Sequence, residues 1–162
     1  MKIVPITDKD WECLKMIRLE SLLDSPDAFG MTYKEAKELP DEQWKSIAAA
    51  ESGVKFFIAR SHGEDIGLVG GVYNVGECEL VSMWVKPEKR NHGIGGNLVK
   101  KLLWHAESSG VTSIVLKVSS KNLEAINLYS KMGFKALVQE SVASGDSGVK
   151  LKTMVWCSAY GH

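Results

Sequence analysis

A chain of 162 residues is one domain in size, long enough to bury roughly 70% of its unfolded surface around a single core. Its 44% hydrophobic and 25% charged content is that of an ordinary globular protein and excludes disordered, collagen-like and disulfide-scaffold classes. Basic and acidic side chains balance at 20 each, which leaves no cationic surplus for neutralising nucleic-acid phosphate, and no apolar stretch reaches the ~18 residues of a membrane span.

A short apolar strand over residues 2–6 leads to Thr7, an N-cap type, and then to a helical stretch. There Trp11, Leu14, Met16, Ile17, Leu19, Leu22 and Leu23 recur mainly three and four apart. Asp24-Ser25-Pro26-Asp27 ends that helix, because proline lacks an amide donor and disfavours helical geometry in the residue before it. A loop or short helix carrying Phe29, Met31 and Tyr33 follows. The next helix opens at Pro40, matches Asp41 and Glu42 to its positive end, and runs to about Glu51. Residues 54–59, 66–73 and 77–85 are β-rich runs separated by turns at His62-Gly63-Glu64-Asp65 and Val75-Gly76, and read as three successive antiparallel strands. A helix over 93–108, with Ile94, Leu98, Leu102 and Ala106 four apart, precedes a strand over 113–118. A helix over 122–132 and strands over 134–139 and 150–156 complete the chain. The expected fold is α/β (α+β), one domain over residues 1–162 with a mixed, largely antiparallel sheet flanked by helices.

The neutral total hides an asymmetry. Residues 1–75 carry 9 basic against 13 acidic side chains, and residues 76–162 carry 11 against 7, which points to an anionic ligand on the C-terminal half. In that half, Arg90-Asn91-His92-Gly93-Ile94-Gly95-Gly96 lies between a strand and an amphipathic helix, with Lys86 and Lys89 beside it. Glycines there let backbone amides approach a ligand, and a helix N-terminus adds positive potential, so a diphosphate suits the place. The spacing lacks the lysine and hydroxyl of a nucleoside-triphosphate loop. Leu98 stands where a dinucleotide fingerprint needs its third glycine, so neither NTP nor NAD is favoured.

The loop, following the phrase Val85-Lys86-Pro87, resembles the acetyl-coenzyme A loop of the Gcn5-related N-acetyltransferases (GNAT). A second stretch, with Asn122, Ala125, Leu128, Tyr129, Gly133 and Phe134 in register, resembles another signature of the same family. The likeness covers residues 76–139, and the segment from Arg18 to Gly30 is similar, less specifically, to a substrate-side helix and loop in bacterial members. The resemblance implies the GNAT (acyl-CoA N-acyltransferase) fold, acetyl-CoA as cosubstrate, and roles residue by residue. Backbone groups of Met83, Trp84 and Val85 would pair with the pantetheine arm. Arg90, Asn91, His92, Gly93, Ile94, Gly95 and Gly96 would hold the diphosphate, Asn122 would contact the pantetheine, and Tyr129 would protonate the departing thiolate.

The general base is read from the residues: alternation along 77–85 puts Glu77 and Glu79 on one face with Val81, Met83 and Val85, and Glu79 is the choice. Where some family members carry a glutamate on the following strand, this chain has Lys117. Cys13, Cys78 and Cys157 form no CxxC, and His62, His92, His105 and His162 have no metal spacing, so no metal is expected. The phrase Gly145-Asp146-Ser147-Gly148 reads as a polar turn rather than a protease nucleophile. The expectation is a cytoplasmic transferase moving an acetyl group from acetyl-CoA to a primary amine of a small molecule by direct attack. No nucleic-acid or membrane partner is expected, and a homodimer is left open. A protein N-terminal or lysine acetyltransferase, or a noncatalytic acyl-CoA sensor, stays open beside it.

Overall fold

Local chemistry sets where the elements begin and end. The computed structural model describes residues 1–26, 31–142 and 150–158; Phe29, Gly145 to Gly148 and His162 lie outside the described residues. β1 (Lys2–Pro5) leads into a 3-10 turn, whose Asp10 carboxylate accepts from the Thr7 amide (2.9 Å) and hydroxyl (3.0 Å). Thr7 therefore opens that turn, and α1 (Trp11–Asp24) follows it. α2 (Tyr33–Glu38) is only six residues long and is opened by a capping box: the Glu35 amide donates to Thr32 Oγ1, and the Thr32 amide donates to the Glu35 carboxylate, both at 3.1 Å. α3 (Asp41–Ala48) stops short of Glu51 because Ala50 turns left-handed at φ +62°. The remaining elements are β2 (Val54–Ser61), β3 (Glu64–Asn74), β4 (Glu77–Val85), α4 (Ile94–Ser108), β5 (Ser113–Ser119), α5 (Leu123–Lys131), β6 (Lys135–Val142) and β7 (Lys150–Cys157). Among the described residues no helix is long and apolar enough to cross a membrane.

The strands form one seven-stranded sheet in the order β1-β2-β3-β4-β5-β7-β6, antiparallel except for the β4–β5 pair. β7 enters between β5 and β6, so the last strand in the chain is not the last in the sheet. Each face carries a core. α4 and α5 cover one face, where Leu98, Val99, Leu102 and Ala106 meet Phe57, Val69, Cys78, Leu80, Ile114 and Leu116. α1, α2 and α3 cover β1 to β4 on the other, where Leu14, Ile17, Leu22, Ala36 and Trp44 meet Phe56, Ile58, Leu68 and Trp84. Each fully buried leucine contributes about 1.5–3 kcal/mol, which is what holds helices of low intrinsic stability on the sheet.

Two irregularities of β4 matter most. Its register with β3 runs Gly70 to Val81 and then Leu68 to Trp84, so Ser82 and Met83 oppose Val69 alone. This is a β-bulge, with Ser82 at φ +57°. The extra residue reverses the alternation: Cys78 and Leu80 face α4 before it, and Met83 and Val85 face α4 after it. Glu77 and Glu79 consequently share a face with Val81 and not, as alternation implied, with Met83 and Val85. In addition, β4 pairs with β5 only from Glu77–Ser113 to Leu80–Leu116, beyond which the two strands part.

Candidate functional site

The parting of β4 and β5 leaves the backbone edge of residues 81–85 without a strand partner on that side, and a cleft of about 690 Å³ opens between the strands. Buried amides and carbonyls on such an edge need partners, so the edge is suited to a ligand with an extended amide-bearing arm. Met83, Trp84, Val85, Arg90, Asn91, Gly93, Ile94, Gly95, Gly96, Asn122 and Tyr129 all line the cleft. Sequence positions up to 46 residues apart thus meet in one place. His92 and Glu79 do not line it. The His92 ring turns to the carbonyls of Arg90 (2.8 Å) and Lys89 (3.3 Å) and is exposed, which leaves only its backbone for the proposed loop role. Glu79 is half-buried, two residues from Val81 at the cleft wall and on the same face.

At one mouth stands the N-terminus of α4, where the first amides have no acceptor within the helix. The three glycines there differ in purpose. Gly93 is left-handed at φ +79° and opens the helix. A Cβ on Gly95 would lie 3.1 Å from Met83 Cε and 3.2 Å from Leu128 Cδ2, so Gly95 is first a packing residue between α4, β4 and α5. A Cβ on Gly96 would make only an ordinary 3.9 Å contact with Leu128, so nothing in the protein itself requires a glycine there. This bare backbone beside free amides is a cradle that a side chain would narrow, and it fits a diphosphate.

The Arg90 guanidinium is not directed into that cradle. Its Nε donates to the Val85 carbonyl (2.9 Å), and its Nη2 donates to Asp24 Oδ2 (2.8 Å). The same Asp24 oxygen accepts from Trp84 Nε1 (2.8 Å) and from the Ser25 hydroxyl (2.9 Å). These donors hold the Asp24 carboxyl below its ordinary value of 3.8, the Trp84 bond contributing most, against the opposing effect of burial. One carboxylate at the end of α1 therefore ties together the end of β4 and the glycine loop. Sequence reasoning missed Asp24, and nothing in its local spacing marks it.

Tyr129 lies in the wall formed by α5, 5% exposed, with its ring edge-on to Phe134 at 5.7 Å. Burial pushes its phenol above the ordinary value of 10.0, so the hydroxyl stays protonated through the neutral range. The side-chain oxygen of Asn122 accepts from the Ala125 amide (3.1 Å), capping α5, so its NH₂ group is not engaged in that cap. Among the described residues no three His, Cys, Asp or Glu side chains are grouped to hold a metal ion. Across the site the arrangement offers amides for an anion, a strand edge for an extended arm, and a buried phenol in the wall.

Comparison with known proteins identifies the family and matches the fold. The family model described as the acetyltransferase (GNAT) family matches residues 17–134. A mycothiol acetyltransferase of Thermobispora bispora is 29% identical over 135 residues, covering 78% of this chain and 43% of that protein. The structure of a GNAT-family acetyltransferase from Streptococcus pneumoniae superposes with a TM-score of 0.82 at 18% identity, over 97% of this chain and 100% of the other. PaiA N-acetyltransferase from Thermoplasma acidophilum, solved in complex with coenzyme A, does so with a TM-score of 0.67 at 20% identity, over 98% and 100%. The first curated relatives are matched over 52%, 40% and 43% of their own lengths, so the chain spans about half or less of each. With the family model spanning most of the chain and the two motif segments meeting in one cleft, this protein belongs to the GNAT acetyltransferase family.

Proposed function

We propose that the chain, as one N-acetyltransferase domain acting in the cytoplasm, moves an acetyl group from acetyl-CoA to the primary amine of a small-molecule acceptor by direct attack in a ternary complex. The observation that carries this is the single cleft in which a glycine-lined helix N-terminus, an unpaired strand edge and a protonated tyrosine converge. Acetyl-CoA supplies an activated acyl group as its thioester. The amides from Arg90 to Gly96 hold its diphosphate, and the backbone of Met83, Trp84 and Val85 pairs with the pantetheine arm. The Asn122 NH₂ fixes the same arm. Orientation contributes much of the rate, because a held amine and a held thioester no longer lose translational freedom on meeting. Strand amides facing the developing negative charge on the carbonyl oxygen add to it.

Protons are handled at two points. Tyr129 donates its phenolic proton to the departing sulfur as the C–S bond breaks, and the second proton, which the acceptor nitrogen loses as the tetrahedral adduct collapses, passes through water to restore it. A free alkylammonium has a pKa of about 10, so the acceptor must lose a proton before it attacks. Glu79, two residues from the cleft wall, takes that proton through water. The test is thiol release from acetyl-CoA with a panel of amines, polyamines, aminoglycosides, amino acids and short peptides. Release with a small amine supports the reading; release with peptides alone moves the acceptor to a protein. A protein that binds coenzyme A and releases no thiol with any acceptor is a sensor, and the reading fails.

A further inference from the structure

The cleft passes through the sheet, and a different set of charged side chains stands on each side. On β5, Ile114, Leu116 and Val118 pack into the core beneath α4 and α5, so Val115, Lys117 and Ser119 point to the opposite face. The α4–α5 face holds the glycine loop and is the coenzyme side. Lys117 looks out on the other side, from which the acceptor must come, and it lines the cleft. It is the first residue past the last β4–β5 pair, Leu80–Leu116, and so stands at the fork where the strands part.

Its surroundings form a small amphipathic patch. Thr153 on β7 is its antiparallel partner and carries a hydroxyl on the same face. Val115 and Val155 flank that pair on one side, Ser119 and Leu151 on the other, with Val81 across the fork; all are half-buried. Lys117 is exposed and enters no ion pair among the described residues. The other cations of the cleft belong to the coenzyme side: Lys89 precedes α4, Lys131 ends α5, and Arg90 is held by Asp24. Glu124, the one carboxylate lining the cleft among the described residues, lies in the first turn of α5, also on the coenzyme side; Glu79, outside that lining, is paired with Val115 and so stands on the Lys117 face, one diagonal step from the lysine.

We propose that Lys117, with the Thr153 hydroxyl beside it, binds a carboxylate carried by the acceptor, so that the preferred acceptor is an amine that is also a carboxylic acid. This rests on the acetyl-transfer reading above and names the class of its substrate. An ammonium and a hydroxyl side by side supply hydrogen-bond donors to the two carboxylate oxygens, the first of them charge-assisted. The same positive charge disfavours the ammonium form of the acceptor amine, which must be neutral to attack.

Thiol release is measured for matched acceptors, each amino acid or dipeptide offered as free acid, as carboxamide and as decarboxylated amine. The wild type is compared with Lys117→Met, Lys117→Arg and Thr153→Val. Free acids are expected to exceed their carboxamides by about 10-fold in kcat/KM, through KM. Lys117→Met is expected to bring that ratio close to one by raising KM for the acids, Lys117→Arg to keep most of it, and Thr153→Val to lower it in part. A ratio near one in the wild type, or an unchanged ratio in Lys117→Met, overturns the inference and leaves acetyl transfer standing. Loss of coenzyme A affinity in Lys117→Met, measured by titration calorimetry, places the lysine at the coenzyme and also overturns it. No thiol release with any acceptor overturns the acetyl-transfer reading and the inference together.

Discussion

Tyr129 and Glu79 are placed very differently, although both are proposed as proton-transfer groups. Tyr129 is enclosed in the cleft wall and kept protonated by burial. With its folded pKa raised, the neutral phenol is favoured below the ordinary value of 10.0, so Tyr129 adds no inflection to the rate profile until the pH rises above that value. Tyr129→Phe keeps the ring against Phe134 and is expected to lower kcat by ~10- to 1000-fold with coenzyme affinity within a few-fold. Single-turnover measurement gives the chemical step directly; equal rates in the two proteins would remove the acid role. Glu79 stands one strand step back, and its action through water makes a milder loss the expectation. Glu79→Gln is expected to reduce kcat/KM most at low pH, where little neutral amine exists, and least at high pH. A wild-type pH profile in that variant would exclude the carboxylate as the base.

Joints between elements carry the proposed coenzyme site as much as any side chain in it. Asp24 binds the end of α1 to Trp84 at the end of β4 and to Arg90 in the glycine loop, so both Asp24→Asn and Arg90→Ala are expected to weaken coenzyme A binding by loosening the loop. Because they remove the same joint, the double variant should bind more tightly than the product of the single effects implies; strict additivity in calorimetry would show two independent sites. The Asp24 carboxyl is depressed on folding, so its contribution is fully present above the ordinary value of 3.8 and is lost as pH falls through the lower folded value. The pair is partly exposed, 41% for Arg90 and 29% for Asp24, so its worth lies in placement more than in stability. The glycines offer a second test. Gly96→Val puts methyl groups beside the free amides and is expected to raise the coenzyme dissociation constant by at least ~10-fold in a folded protein, a loss of about 1.4 kcal/mol. Gly95→Val should also destabilise the fold, because it drives Met83 and Leu128 apart. Unchanged affinity in folded Gly96→Val would make the loop a turn and nothing more.

The molecule as a whole places its two cores on opposite faces of one sheet and opens the cleft where β4 and β5 part between them. Coenzyme bound in the proposed site would bridge β4, α4 and α5, so its binding energy would add to the stability of the whole fold. At ~100 times the dissociation constant this is about 2.7 kcal/mol, or roughly 5–11 °C in Tm for a domain of this size. A thermal scan is expected to show that shift with coenzyme A or acetyl-CoA and none with NAD or ATP at equal concentration. A shift with NAD alone would overturn the coenzyme assignment. The uneven charge along the chain adds a long-range component that falls with salt over a screening length of about 8–10 Å.

Strand and helix succession was readable in the chain because periods of two and 3.6 residues are local properties: Leu98, Leu102 and Ala106 mark the buried stripe of α4 without reference to anything distant. The glycine loop stood out for a related reason, since a backbone bare enough to approach an anion depends on residue type in a short motif, whereas Tyr129 was marked only by the family resemblance of the stretch that carries it. Other features have no such local mark. Ser82 does not declare that it will turn left-handed, yet that one residue reverses the facing of Met83 and Val85 and separates them from Glu79. Asp24 meets Trp84 and Arg90 across 60 and 66 residues, and β7 finds its place between β5 and β6 only once the sheet forms. Gly95 and Gly96 are alike in the chain and distinct in space. Lys117 shows the same division: its charge is evident from the sequence, but its position at the fork, facing away from the coenzyme side, follows from strand register and from where two strands cease to pair. Register, bulge and splay are set by long-range packing of both cores against a twisted sheet, which no window along the chain contains.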